Sequence, residues 1–144
     1  MARLRAGIGG TVVLDAEGLV KLSRGHPGAV KRIKTAYARQ ASIVTAATTL
    51  TEVLRDWPRD APIHRVLRRV KVIAIDAEQA RAAGELLGRT GLSGHRCALD
   101  ALLATVAMTQ PRPVILLTSD TDDMVKLTHE PGRPARERVA VVRI

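Results

Sequence analysis

Four acidic residues stand in apolar surroundings, where an ionised carboxylate needs a compensating group. Asp15 closes Val12-Val13-Leu14, and Glu52 sits within Thr49-Leu50-Thr51-Glu52-Val53-Leu54. Asp100 sits within Ala98-Leu99-Asp100-Ala101-Leu102-Leu103, and Asp120 follows Ile115-Leu116-Leu117-Thr118-Ser119. A carboxylate on a half-buried surface is costly unless something offsets it. If the four converge, each pair about 4 Å apart repels by roughly 4 kcal/mol at an effective dielectric of ~20. Protons, basic side chains or a metal ion must then hold them together. Mg²⁺ or Mn²⁺ suits such a site, because these hard cations prefer oxygen ligands, keep several waters and share substrate phosphates. Such an ion lowers the pKa of a bound water and neutralises charge developing on a phosphate oxygen, so hydrolysis of a phosphodiester is the natural chemistry. An acid after a strand is also a common helix N-cap, which accounts equally well for Asp15 and Asp120. Capping does not account for Asp100, which falls in the middle of an apolar helix.

The elements that must position these acids are legible from periodicity. Thr11-Val12-Val13-Leu14 is β-branched and ends at a polar residue, as a buried strand does. Leu19, Leu22, Val30 and Ile33 predict a short helix, a turn at Gly25-His26-Pro27-Gly28 and a second helix to about Gln40. Ser42-Ile43-Val44-Thr45 predicts a second strand, and Ala46 to Arg55 a helix carrying Glu52 that stops before Trp57-Pro58. Asp60 is placed as the N-cap of a helix with Pro62 in its first turn. Lys71-Val72-Ile73-Ala74-Ile75 predicts a third strand, and Asp76 caps a helix that loosens between Gly88 and Gly94. A further helix begins near Arg96, and Val114 to Thr118 is the clearest strand. A short helix from Asp122 and a last strand over Val139 to Arg143 close the chain. Strands alternating with helices at this frequency specify an α/β domain with a mainly parallel central sheet. In such sheets ligands bind beyond the carboxyl ends of the strands, where the strand order reverses direction. Asp15 and Asp120 each follow a strand at that end.

Composition sets the outer limits. The chain has 144 residues, with 23 Lys plus Arg against 14 Asp plus Glu and a formal charge of +9. That length fits one domain, read as residues 11–144 behind a flexible leader over residues 1–10. An apolar fraction of 46% supports a packed core. No apolar run approaches the roughly 20 residues a membrane-spanning helix needs. A single cysteine, Cys97, forms no internal disulfide and no zinc cluster alone, which fits a reducing cytoplasm. The basic excess makes a polyanion the obvious partner. With no Phe, one Trp and one Tyr, the composition argues against aromatic base-stacking platforms and for recognition through backbone shape.

The run Val12-Val13-Leu14-Asp15-Ala16-Glu17-Gly18-Leu19, the helical Thr51-Glu52-Val53, the segment Ala98-Leu99-Asp100-Ala101-Leu102 and Leu117-Thr118-Ser119-Asp120-Thr121-Asp122-Asp123 together resemble the four acidic motifs of PIN-domain nucleases, in order and over almost the whole chain. The small single-domain form is similar to the VapC toxins of bacterial toxin–antitoxin pairs, especially the actinobacterial type. The resemblance implies a three-layer α/β/α PIN-like fold and a metal-dependent endoribonuclease with Asp15, Glu52, Asp100 and Asp120 as the acidic pocket. It implies Asp15 and Asp100 in direct contact with Mg²⁺ or Mn²⁺. Glu52 and Asp120 would act through water, by orienting the attacking water, or at a second ion. Asp123 is a further metal-binding candidate, since the Asp-Thr-Asp-Asp run can present its first or its last carboxylate. Thr118 and Ser119 are expected to hydrogen-bond a carboxylate or a metal-bound water. The resemblance further implies that cleavage leaves a 5′-phosphate and a 3′-hydroxyl, and that a VapB-like antitoxin inserts a segment into the active groove.

The chain departs from the pattern at two places. Glu17 stands where many relatives have a small polar or apolar residue, and is read as a solvated first-turn acid favoured by the helix dipole. His95-Arg96-Cys97 precedes the third motif where relatives are more acidic or small. Cys97 and His95, two apart on a helix, face different ways, so Cys97 is read as a buried structural cysteine. Among the basic residues, Arg24, Arg55, Arg96 and Lys126 lie nearest the acids in sequence and are the candidate RNA contacts. Leu50, Val53, Leu54, Val66, Leu67 and Val70 offer a surface for a homodimer or another partner, although ordinary core packing accounts for most of them. Two other classes stay open on the residues alone. One is a PIN-fold module that binds nucleic acid or a protein partner with little or no turnover. The other is a phosphoryl-transfer domain with Asp15 as nucleophile, which suffers from Glu17 standing where a second Asp is wanted and requires a covalent phosphoenzyme.

Overall fold

The computed structural model describes residues 9–144. Five strands form one wholly parallel sheet: β1 (Thr11–Leu14), β2 (Ser42–Ala46), β3 (Lys71–Ile73), β4 (Val114–Thr118) and β5 (Ala140–Arg143), in the order β3-β2-β1-β4-β5. The chain therefore runs outward in one direction from β1 through β3, then returns to the other side of β1 with β4. Parallel strands need crossovers, and helices supply them: α1 (Ala16–Ser23), α2 (Pro27–Ala38), α3 (Leu50–Val53), α4 (Ala61–Leu67), α5 (Ala77–Thr90), α6 (Gly94–Thr109) and α7 (Thr121–Leu127).

Strand alternation divides the core into two layers. Val13, Val44 and Leu116 point to one face, where they meet Ala83 and Leu86 of α5, Ala104 of α6, and Met124 and Leu127 of α7. Val12, Leu14, Ile43 and Leu117 point to the other, against Leu19 of α1 and Ile33 and Ala36 of α2, with Val66 and Leu67 of α4 packed alongside. The result is the three-layer α/β/α domain with a mainly parallel sheet expected from the sequence. Val53, Val66, Leu67 and Val70 belong to the second cluster, so core packing does account for most of the apolar set considered for self-association. No helix among the described residues is long and apolar enough to cross a membrane.

Residues 1–8 of the expected leader lie outside the described residues. Gly10 is buried and has φ +87, and a Cβ there would lie 2.1 Å from the carbonyl oxygen of Pro113. Glycine is required where two backbones pass this closely in a left-handed conformation. Three local expectations need correction. The helix expected over Ala46 to Arg55 is a 3₁₀ turn at Ala47–Thr49 followed by the single turn of α3. β2 claims Ala46, Thr51 Oγ1 bonds back to Thr48 O (2.7 Å), and Leu54 is already extended. Asp60 stands at the N-cap position of α4 as expected, but its side chain makes no capping bond; its carboxylate instead accepts the backbone N–H groups of Arg55 and Trp57. Finally, α5 runs through Gly88 to Thr90 and stops at Gly91, whose φ of +69 ends it. The mid-helix glycine costs only about 1 kcal/mol, which the packing of Leu86 and Leu87 beside it offsets.

Candidate metal and nuclease site

The return of the chain from β3 to β4 puts the carboxyl ends of β1 and β4 side by side, with Leu14 paired to Leu117. Asp15 continues that ladder through its N–H to Leu117 O (3.2 Å). Its carboxylate is held at both oxygens. Oδ1 accepts the N–H of Gly18 (2.7 Å), capping α1, and Oδ2 accepts the N–H of Ser119 (3.0 Å) across from β4. Asp15 is buried, 8% exposed, so these two donors fix its orientation as well as satisfying it. Capping and cleft-lining are thus compatible in one residue. The same holds for Asp120, whose Oδ1 caps α7 by accepting the N–H of Asp123 (3.3 Å).

A cleft of about 300 Å³ opens at this edge, lined by Asp15, Glu17, Glu52, Asp100 and Asp120, with Thr49, Leu99, Leu103 and Ser119. All four sequence-predicted acids therefore face one space, although they come from β1, α3, α6 and the end of β4. Asp100 projects from the middle of α6, half-buried, and among the described residues no hydrogen bond or ion pair satisfies it. Its pKa is pushed up to about 6 by burial and by the negative charges of Asp120, Glu52, Asp15 and Asp123. Glu52 stands at the exposed rim; partial burial of its carboxyl, and then the charge of Asp15, raise its pKa as well. Within the cleft region, carboxylate oxygens of Asp100, Asp120 and Asp123 lie within 4.8 Å of one another. Asp15 and Glu52 are outside that tighter group. Among the described residues, the ion pairs are Arg112–Glu130 and Arg133–Glu130, neither at the cleft.

A divalent cation fits this donor set. The three clustered ligands are all hard oxygens, as Mg²⁺ or Mn²⁺ prefers, and metal–oxygen distances of about 2.1 Å place ligands of one ion up to about 4.2 Å apart. A contraction of at most about 0.6 Å brings the cluster into that range. The pKa of Asp100 is raised by burial and by the four neighbouring acids, negative charge that a bound cation would offset.

Thr118 and Ser119 support the acids through atoms other than those expected. Thr118 Oγ1 accepts the backbone N–H of Asp120 (3.0 Å), and Ser119 holds Asp15 with its backbone N–H. Arg96 is exposed and lies one turn before Asp100 on the same helix face. Lys126 is exposed on α7, about 9 Å along the axis from Asp120. Arg55 folds back onto the carbonyls of Thr51 (2.8 Å) and Leu54 (2.7 Å) at the end of α3. Arg24 stands at the far end of α1, about 13 Å along the helix from Asp15. Glu17 is exposed, as a solvated first-turn acid is.

Two participants escaped the sequence reading. Arg143, at the end of β5, donates to Ser119 O (3.0 Å) and to Thr121 Oγ1 (2.7 Å), so it brackets Asp120 from both sides. Nothing in the sequence pairs residue 143 with residue 120; only the β4–β5 register does. Cys97 is buried, as expected, but its thiol also lies 3.7 Å from Asp123 Oδ2. Burial, followed by the charges of Asp123 and Asp100, pushes that thiol up, away from thiolate chemistry. Its spacing of three from Asp100 on a helix was the available signal.

No protein-family model matches the chain, and no curated protein does. Solved structures do match it in fold. VapBC2 from Rickettsia felis bound to a DNA fragment from their promoter aligns with a TM-score of 0.67 at 18% identity, over 93% of this chain and 98% of that one. VapBC-1 from nontypeable Haemophilus influenzae aligns at 0.63 and 14% identity, over 92% and 97%. A toxin–antitoxin complex from Klebsiella pneumoniae aligns at 0.60 and 19% identity, over 89% and 99%. The chain shares the PIN-like fold of these structures over about nine-tenths of its length.

Proposed function

We propose that the chain is a VapC-like toxin: a Mg²⁺- or Mn²⁺-dependent endoribonuclease, acting in the cytoplasm and controlled by a VapB-like antitoxin. The observation that carries this reading is the convergence of Asp15, Glu52, Asp100 and Asp120, from four separate segments, on one cleft, with no ion-pair partner for them among the described residues. The fold shared with VapBC structures supports it independently.

Asp100, Asp120 and Asp123 would hold the cation, with Asp15 at the back of the cleft adding a fixed negative charge or a further ligand. When bound, the cation supplies Lewis-acid polarisation of the phosphodiester and offsets charge developing in the displacement. Glu52, at the rim and with its pKa raised, is suited to orient the attacking water and accept its proton. Water oxygen would bond to phosphorus as its proton passes to Glu52, the bond to the 3′-oxygen would break, and that oxygen would take a proton from solvent, giving a 5′-phosphate and a 3′-hydroxyl. Arg143 positions Asp120 by holding the backbone before it and the side chain after it. Arg96 and Lys126 are the candidate cations placed to meet the RNA backbone.

The antitoxin reading finds support at a second groove, of about 450 Å³, between α1, α2 and α4. Leu22, Val30, Ile33 and Val66 line it, with Lys34, Arg65 and Arg68 also contributing. An amphipathic segment with acidic flanks complements such a surface.

The test is cleavage of total cellular RNA by purified protein with Mn²⁺ or Mg²⁺ and with EDTA, beside an Asp15→Ala control for contaminating nuclease. Discrete metal-dependent fragments with 5′-phosphate ends, absent from the control, are the expected result. Metal binding without any cleavage of RNA would replace the enzyme with a PIN-fold binding module. A covalent phosphoenzyme would point instead to an aspartyl phosphotransferase.

A further inference from the structure

The chain has one Trp, one Tyr and no Phe, yet its Trp is not in the core. Trp57 is 50% exposed, in the segment between α3 and α4. A large aromatic ring contributes most when buried, so an exposed one in so aromatic-poor a chain invites a reason.

The segment that carries it is firmly built. Asp60 is buried, and its Oδ2 accepts the N–H of Arg55 (2.7 Å) and of Trp57 itself (3.2 Å), tying both sides of the turn to one carboxylate. Between them Asp56 has φ +60, a left-handed conformation unusual outside glycine. Such conformations persist where surrounding structure over-determines them, and they concentrate at ligand sites. The Arg59 guanidinium lies 4.3 Å from the Trp57 ring centroid, in a cation–π stack. The ring is thus held in a fixed position with a cation against it and half its surface in water.

Its surroundings distinguish between occupants. Protein-interface anchors sit in apolar patches that exclude water around them. The neighbours Arg55, Asp56, Pro58 and Arg59 are all exposed, and three of the four are charged. An aromatic face flanked by cations on a chain of net charge +9 instead matches single-stranded nucleic acid, whose bases stack on Trp or on guanidinium planes while cations meet phosphates. Trp57 follows Glu52 by five residues, so it stands within about 17 Å of the cleft rim, close enough for a nucleotide near the scissile one.

We infer that Trp57 and Arg59 form a stacking platform for an unpaired base of the RNA, beside the acidic cleft. The inference rests on the ribonuclease reading. It also revises the compositional expectation that stacking plays no part: a single ring, placed at the surface, suffices for one base.

Because Trp57 is the only Trp, its fluorescence reports the platform directly. The probe is a mixed-sequence single-stranded RNA decamer, compared with the same strand annealed to its complement, in EDTA so that nothing is cut. Stacking tolerates sequence, so the probe need not be the natural target. Expected are saturable quenching of Trp emission by the single strand but not by the duplex, and about tenfold weaker binding by Trp57→Ala in fluorescence anisotropy. Trp57→Phe should recover most of the affinity, and Arg59→Ala should lose part of it. As Trp57 is exposed, circular dichroism of Trp57→Ala should match the wild type. Emission that does not change while anisotropy shows the RNA bound, or a Trp57→Ala affinity equal to wild type, overturns the platform and leaves the ribonuclease reading standing. Absence of both RNA binding and RNA cleavage overturns the two together. A Trp57→Ala protein that keeps its RNA affinity but loses the antitoxin would reassign the ring to a protein contact.

Discussion

Replacing Asp100 by Asn removes one negative charge from the cleft, and no hydrogen bond to Asp100 is present among the described residues to be lost with it. Burial and four neighbouring acids move this carboxyl from an ordinary 3.8 to about 6. At full value that difference corresponds to about 3 kcal/mol between the two protonation states. The side chain is half-buried and the cleft is open to solvent, so screening reduces it to about 1.5 kcal/mol. The sign follows from proton binding. A folded pKa above the unfolded one means that the folded state binds the proton more tightly, so the ionised group destabilises the fold at neutral pH and the penalty fades on acidification. In EDTA at pH 7.5, Asp100→Asn should therefore be more stable than wild type by about 1.5 kcal/mol, or about 5 °C in Tm for a chain of this length. The increment should be about half as large near pH 5, about a fifth as large at pH 4, and nearly gone by about pH 3, where wild-type Asp100 is neutral in both states. The raised pKa of Glu52 acts in the same direction but is present in both proteins. Millimolar Mg²⁺ or Mn²⁺ should reverse the order. At a hundred times its dissociation constant the ion stabilises wild type by about 2.7 kcal/mol, and the variant should lose most of that gain together with RNA cleavage. Thermal melts at three pH values, with and without metal, provide the whole comparison. An Asp100→Asn protein no more stable than wild type in EDTA, or an increment unchanged between pH 7.5 and pH 4, would refute the claim that this cleft holds uncompensated charge.

Asp15→Ala removes the α1 cap and the link to Ser119, so it should cost about 2 kcal/mol in denaturant melts while abolishing cleavage; full activity would exclude Asp15 from the chemistry. Arg143→Gln should leave the fold intact but weaken metal-induced stabilisation several-fold, read as a shift in the metal concentration that raises Tm; an unchanged titration would show that Asp120 is held without it. Arg112 pairs with both oxygens of Glu130 (2.7 and 2.9 Å) and donates to Met108 O (2.7 Å) and Glu137 O (2.9 Å). Burial alone would raise the Glu130 pKa, but Arg112, helped by Arg133, holds it below the ordinary 4.5. Arg112→Ala should thus lower stability by about 2 kcal/mol near neutral pH. The loss should narrow as pH falls through the depressed folded pKa, where Glu130 is protonated in either protein; a pH-independent loss would assign the effect to the carbonyl contacts instead.

The inner strands β2, β1 and β4 were legible in the sequence because they are short, apolar and buried on both faces, a pattern that helices of this chain do not share. The edge strands β3 and β5 are exposed or only partly buried, and were read from their β-branched residues. Asp100 was legible for a related reason: an acid among Leu99, Leu102 and Leu103 cannot be mistaken for a cap. The extent of the Glu52 helix was not. Its apolar spacing is helical, but three threonines within four residues offer the backbone competing bonds, one of which Thr51 makes, and the chain turns after Val53. Asp60 misled for the opposite reason, since its residue type promised a cap while its carboxylate was committed upstream to Arg55 and Trp57. Arg143 and the Cys97–Asp123 contact depend on the docking of β5 and α7, which no local pattern encodes.

The acids themselves do not create the cleft; strand order does. With β2 and β3 on one side of β1 and β4 and β5 on the other, the segments leaving β1 and β4 diverge to opposite faces of the sheet. Their first residues are left at a gap that no crossover covers. Asp15 and Asp120 occupy that gap because they are the residues at which the two strands stop, and each is pinned by backbone N–H groups of the turn that follows. Asp100 and Glu52 then close it from α6 and α3. An acidic site of this form depends on keeping the carboxylates together against their own repulsion, and fixed backbone donors at Asp15 and Asp120 help to do that, with no ion pair at the cleft among the described residues. Among the described residues, exposed basic side chains such as Arg96 and Lys126 then lie outside an acidic cleft whose own charge a bound cation would offset, the arrangement the proposed RNA substrate requires.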